Sequence, residues 1–229
     1  MAYILALETS SKICSVALFK DQNLLSIREE GGSYSHAEKL GIFIEEVMSE
    51  AQVEMKNISA VAVSKGPGSY TGLRIGTSTA KGICYALDVP LISVSTLQSM
   101  AYMLKNSAEF PGSVLCPMMD ARRMEVYTAV FDRELKVLKD TSASIITESF
   151  MQEFMNETQV VFFGDGSEKA KDFLKNQKNV VFSDKGLPSA EGVGALSFEK
   201  FLHGDFEDVA YFEPFYLKNF IAGKPKKLL

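Results

Sequence analysis

The sequence predicts an α/β protein of two successive units, each a mixed sheet with helices packed against it. Three observations predict it. Apolar residues in the first half switch between strand and helix periods in the order βββ-α-β-α-β-α. After "SAEFPGS" the pattern starts again, and Glu8 aligns with Asp120 without a gap, setting "ETSSKICSVALF" against "DARRMEVYTAVF". The chain has 229 residues, 46% hydrophobic and 23% charged, which is length and apolar content enough for a substantial core.

Three strands come first, Tyr3–Thr9, Lys12–Phe19 and about Asn23–Glu29, with "SSK" and "KDQN" as the turns of an antiparallel meander. A helix opens at "SHAEKL", where Ser35 and Glu38 have capping-box spacing. Leu40, Phe43, Ile44, Val47, Met48 and Ala51 form its buried stripe. The strand Ile58–Ser64, a glycine loop, a helix over about Thr71–Leu87, the strand Leu91–Ser95 and a helix over Leu97–Leu104 complete the first unit. The second unit repeats the carboxylate-ended strand and a strand closing on Phe131. A helix near Ser149–Glu157, the strand Gln159–Phe163 with its "GDG" turn, and a helix near Glu168–Leu174 follow. The strand Asn179–Ser183 and a helix over Val193–Leu202 end it. The expected domains are 1–107 and 108–229.

Bulk properties narrow the function. A net charge of −5 argues against a broad nucleic-acid surface. The basic tail, with Lys218, Lys224, Lys226 and Lys227, is the exception, and it reads as a solvated tail or an RNA contact. Cys14, Cys84 and Cys116 are odd in number and form no C-x-x-C, which suits a reducing cytoplasm and buried thiols. The N-terminal "MAYILALETSSKICSVALF" has no basic leader region and reads as a strand pair, not a signal peptide. No apolar run is long enough to span a membrane.

The loop "KGPGSYTGLRIG", residues 65 to 76, places four glycines between a strand and a helix, a setting in which backbone amides often cradle phosphate. Its spacing fits neither a P-loop nor the dinucleotide fingerprint, and Pro67 removes one amide donor. Gly72, Gly76 and Ala80 recur at i, i+4 and i+8, with Gly82 beyond them and Gly41 in the preceding helix. Each interior helix glycine costs about 1 kcal/mol relative to alanine, so the stripe needs a compensating close approach. The approaching element is either another helix from a partner or the chain's own sheet.

Chemistry-bearing residues are few. Glu8 ends the first strand, as Asp120 ends its counterpart in the second unit, and Thr9 follows it. The opposing turn of the second unit reads Asp120-Ala121-Arg122-Arg123, whose guanidinium stems crowd a phosphate cradle although arginine itself binds phosphate well. His36 and His203 are the sole histidines and form no H-x-x-x-H pair, so no metal site is expected, and His36 reads as a polar residue of an exposed first turn. Ser69 sits in "GPGSYTG", which is not G-x-S-x-G, and no catalytic residue is assigned.

"ILALETS", "KGPGSYTGLRIG", "DARRMEVY" and "EPFYLKNF" together resemble the TsaB (YeaZ) family, from one end of the chain to the other. The resemblance implies the actin-like ATPase (ASKHA) fold, two ribonuclease-H-like domains. It also implies a non-catalytic subunit that binds and activates TsaD, with the ATPase TsaE joining them. The modification implied is threonylcarbamoyladenosine at position 37 of tRNAs reading ANN codons, with tRNA met only through the complex. TsaD relatives hold metal with an H-x-x-x-H pair that this chain lacks, and nothing here supports the peptidase label attached to the wider family. TsaB proteins pair with TsaD, or with themselves, through the two glycine-bearing helices. On this chain that implies an interface of His36, Leu40, Ile42, Phe43, Thr71, Gly72, Ile75, Gly76 and Thr79, with Gly72 and Gly76 turned outward. Glu8, Thr9, Asp120 and Arg122 are then a vestigial nucleotide cleft. The chain carries no cofactor of its own, although ATP or ADP with magnesium can sit at a subunit interface. The reading from the other class is an active ATPase or phosphotransferase of the same fold.

Overall fold

The computed structural model describes residues 1–32 and 36–218. Ser35, the expected helix cap, and the tail lysines Lys224, Lys226 and Lys227 lie outside the described residues. The first half runs β1 (Tyr3–Glu8), β2 (Cys14–Lys20), β3 (Asn23–Glu30), α1 (His36–Glu50), β4 (Ala60–Gly66), α2 (Tyr70–Leu87), β5 (Leu91–Ser95) and α3 (Thr96–Leu104). The second runs β6 (Val114–Asp120), β7 (Glu125–Phe131), β8 (Val137–Ile145), α4 (Gln152–Met155), β9 (Val160–Phe163), α5 (Glu168–Leu174), β10 (Val180–Ser183) and α6 (Ala190–His203).

Each half builds one five-stranded sheet, in the orders β3-β2-β1-β4-β5 and β10-β9-β6-β7-β8. Read from its other edge, the second order is the first one repeated. The senses match as well. β1 pairs antiparallel with β2 and parallel with β4, as β6 pairs antiparallel with β7 and parallel with β9. The gap-free match of Glu8 with Asp120 therefore joins equivalent strand ends.

β8 was not expected, and the helix near Ser149–Glu157 contracts to α4. "VLKDTSASI" is an edge strand with no fully buried position, so polar residues fill it and the period-two signal is lost.

β1 is buried on both faces, and its apolar run divides by alternation. Leu5 and Leu7 join Val16, Leu18, Leu40, Ile44, Val47, Val61 and Val63 beneath α1 and α2. Ile4 and Ala6 face the other way, with Ala17, Ala60, Ala62 and Val193 of α6. The last helix of the chain thus packs on the first sheet, while α3 packs on β6 and β7 of the second. Alanines in the floor let α6 settle close, and Gly194 lies directly on the Phe19 ring. Beyond α6 the chain first runs along the first half. Ser93 Oγ donates to Glu207, Lys81 donates to the carbonyls of Ala210 and Phe212, and the Phe215 amide donates to Lys65 O at 2.7 Å. Among the described residues no helix is long and apolar enough to cross a membrane.

A Cβ at position 194 would lie 2.2 Å from a ring carbon of Phe19, itself buried. Gly194→Val is expected to lower stability by about 1–3 kcal/mol despite its better helix propensity. Urea melts check this, and Gly204→Ala is not a valid control because Gly204 has φ +67°. Gly41→Ala, with open space at its Cβ, is the control and is expected to be neutral or stabilising.

Candidate partner face and the sealed strand end

The turn that leaves β1 lies under the glycine loop. Thr9 Oγ1 donates to Gly72 O at 2.8 Å, and the Ser69 amide donates to Ser10 O at 2.6 Å. A Cβ on Gly68 would come to 2.5 Å from Ser10 O, on Gly72 to 2.0 Å from Thr9 O, and on Gly76 to 2.3 Å from Thr9 Oγ1. Gly66 has φ +108°, a conformation glycine adopts without strain. These glycines admit the chain's own backbone. Two of the loop's donors are engaged within the chain, the Ser69 amide by Ser10 O and the Gly72 amide by Ser69 Oγ at 3.3 Å.

The expectation that Gly72 and Gly76 face outward is corrected by this packing, for both are buried against Thr9. Leu40 is core, in contact with the apolar side of β1 and β2. His36 is buried, not exposed, with Nε2 2.9 Å from Ser11 O, and burial pushes its pKa below the usual imidazole range while that hydrogen bond partly opposes the shift. The expected cleft residues also lie differently from a nucleotide cradle. Glu8 and Thr9 are fully buried. Glu8 Oε1 accepts from the Ser10 amide at 2.6 Å and Ser64 Oγ at 3.0 Å, Oε2 has no hydrogen-bond partner among the described residues, and desolvation raises the carboxyl pKa against those hydrogen bonds. A carboxyl sealed this way does not fit hydrated magnesium, whose waters need open space around the ligand.

Asp120, the equivalent of Glu8, is exposed and engaged. It accepts from Lys169 Nζ at 2.5 Å and from the Arg122 amide at 2.7 Å. Burial pushes its pKa up, but Lys169 and the amide outweigh it and hold the carboxyl below the usual range. Arg122 and Arg123 both have positive φ, +68° and +48°, in a hairpin that Lys169 ties through Arg123 O and Lys218 through Glu125. Among the described residues no three His, Cys, Asp or Glu side chains gather as a metal would need.

The outer side of α1 and α2 is different. The helices lie side by side on one face of the first sheet. Ile42 is 54% exposed and Tyr85 86% exposed. Thr71 is exposed, and Phe43, Ile75 and Thr79 are half-buried. Gly41 and Gly82 are exposed with nothing within 4 Å of an added Cβ. At the head of α2, the Arg74 guanidinium stacks 4.3 Å over Tyr70, whose ring is 5.0 Å from that of Tyr216. Tyr85, Arg74 and Tyr216 were not singled out from sequence. The spacing Thr71, Ser78, Gly82, Tyr85 on the face opposite Leu73, Thr77, Ala80 and Cys84 is the signal that finds the outer stripe.

Comparison with known proteins completes the picture. The family model described as "TsaD: tRNA N6-adenosine threonylcarbamoyltransferase" matches residues 27–211. The "tRNA threonylcarbamoyladenosine biosynthesis protein TsaB" of Escherichia coli (strain K12) is 31% identical, over 96% of this chain and 96% of that protein. A solved Pseudomonas aeruginosa structure described as similar to peptidase YEAZ superposes with TM-score 0.84 at 24% identity, covering 95% of this chain and all (100%) of that one. An inorganic polyphosphate/ATP-glucomannokinase from Arthrobacter shares the fold at TM-score 0.51 and 10% identity, over 89% of this chain and 100% of that one. The duplicated sheets are those of the actin-like ATPase fold.

Two predictions follow from the sealed turn. Gly76→Ala is expected to destabilise by about 1–3 kcal/mol, and by much less when Thr9 is already alanine, because the clash is with the Thr9 hydroxyl. A double-mutant cycle by denaturant melts measures it. The second concerns pH. A folded-state Glu8 pKa raised above the unfolded value stabilises below the unfolded pKa, about 4.3, and that contribution is lost as pH rises through the folded pKa. Glu8→Gln removes this loss, so the variant is expected to gain on wild type progressively as pH rises from 4 to 8, which urea melts across that range check. A wild type that holds its own throughout would mean an ionised, well-solvated Glu8.

Proposed function

Because the chain belongs to the TsaB (YeaZ) family, we propose that it is a non-catalytic subunit that binds and activates a TsaD-type threonylcarbamoyltransferase. The modification is threonylcarbamoyladenosine at position 37 of tRNAs reading ANN codons. The sealed β1 turn carries this reading. Where a working member of the fold needs an open carboxylate and free loop amides, this chain has a buried Glu8 with a raised pKa and two loop amides, those of Ser69 and Gly72, already engaged. The open face of α1 and α2 supports the other half of the reading. Ile42, Phe43, Ile75, Thr79 and Tyr85 offer apolar contact, and Gly41 and Gly82 leave room for a partner helix to approach. A TsaE-type ATPase joins the assembly, tRNA is met through the complex, and a homodimer uses the same helices when the partner is absent. Any ATP or ADP with magnesium sits between subunits, and the assembly works in the cytoplasm.

The test separates the outer glycine from the inner ones. Gly82→Leu has space for its side chain and improves helix propensity, so its melting temperature is expected to equal or exceed that of wild type. Its affinity for the TsaD-type subunit is expected to fall by about ten- to a hundredfold, as over-packing at a tight contact does. Ile42→Glu is expected to act likewise. Calorimetry with the purified partner measures both, and unchanged affinity in both variants would move the interface off this face. The isolated chain is expected to show no ATP turnover, and turnover abolished by Glu8→Ala would sink the non-catalytic reading.

A further inference from the structure

A cavity of about 380 Å³ lies where the two halves meet, and neither Glu8 nor Asp120 is among its lining residues. That volume suits a small molecule. The first half contributes Lys65, at the end of β4, and Gln98, in the first turn of α3. The second half contributes Asp140 and Thr141 of β8, and Phe131 and Phe215 supply apolar lining. Among the described residues the side chains of Lys65, Gln98, Asp140 and Thr141 make no hydrogen bond or ion pair with the rest of the chain. Asp205, whose carboxyl feels the Lys65 charge, is already paired with Lys200.

The two sides differ in electrical sign. On the first, the Lys65 ammonium stands with the N-terminus of α3, whose cap Ser95 also lines the cavity and makes no side-chain capping bond. Ammonium, amide donors and the positive end of a helix together favour an anionic group. On the second, the Asp140 carboxylate and the Thr141 hydroxyl accept hydrogen bonds and favour a cationic donor. Between them the phenylalanines favour an apolar body. We propose that this cavity binds a small zwitterion with an apolar side chain, an amino acid or dipeptide, its carboxylate toward Lys65 and α3 and its ammonium toward Asp140. Such a ligand bridges the halves of the molecule, and its binding is independent of the partner face.

The experiment titrates isotope-labelled full-length protein with L-phenylalanine and with L-leucyl-L-phenylalanine, following backbone amide shifts. N-acetyl-L-phenylalanine and L-phenylalaninamide, each lacking one charge, are the comparison ligands. At least one zwitterion is expected to shift Gln98, Thr141 and Phe215 saturably at millimolar concentration, and each blocked analogue to bind about tenfold more weakly, the loss of one charged hydrogen bond. Asp140→Asn is expected to weaken the zwitterion and spare the N-acetyl analogue, and Lys65→Met to weaken it and spare the amide. Melting curves show whether each variant folds, and the blocked analogues on wild-type protein carry the test if one does not. No saturable shift with either zwitterion, or equal binding of the blocked analogues, overturns the proposal.

Discussion

The molecule is organised by one close approach, that of the backbone at residues 9–10 to Gly68 and Gly72 and of the Thr9 hydroxyl to Gly76. None of these glycines has room for a Cβ, and the hydrogen bonds Ser69 N to Ser10 O and Thr9 Oγ1 to Gly72 O hold the contact shut. Everything near it follows. The turn closes over Glu8, and burial then raises that carboxyl's pKa. α2 is drawn onto the end of β1 by its inner stripe, so that its other stripe, with Gly82 and Tyr85, is left facing solvent. One contact thus closes the place where a relative of this fold would hold a phosphate, and it opens a helical face.

The exchange of helices adds rigidity. α6 comes from the second half and completes the core of the first sheet, while α3 does the reverse. The segment after α6 then returns along β5, α2 and β4 before Lys218 reaches Glu125 in the second half. A division between residues 107 and 108 separates the sheets, but opening the halves along it would expose both the Ala-rich floor under α6 and the α3 contact. Burial of that extent opposes the domain opening by which enzymes of this fold class admit substrates.

Much of the fold was legible in the sequence because its strands and helices carry clean periods. Leu91–Ser95 and Glu168–Leu174 keep their expected bounds, and the repeated strand-end carboxylate located the duplication. β8 was not legible, since an edge strand has no second neighbour and little burial to impose alternation. The candidate site was legible in part. Spacing alone shows that Gly72 and Gly76 share a stripe. It does not show which side that stripe faces, because a helix with small residues on one face reads the same whether a sheet or a partner lies there. The deciding contact, Thr9, is more than sixty residues away in the chain and adjacent only after folding. Arg74 with Tyr70 and Tyr216 was hidden for the same reason.

The paired carboxylates show what duplication permitted. Glu8 and Asp120 end equivalent strands in sheets of identical order, so the same backbone presents both. Their surroundings then move them in opposite directions. Glu8 loses solvent and keeps two neutral donors, which burial outweighs, so its neutral form is favoured. Asp120 keeps solvent and gains the Lys169 ammonium, so its charged form is favoured. A shared nucleotide would need both ends ionised and open toward one another. Here one is sealed, and the other is spent on fixing a hairpin whose two arginines stand in left-handed conformations. The two halves share one framework, and the surroundings of each strand-end acid set its charge differently.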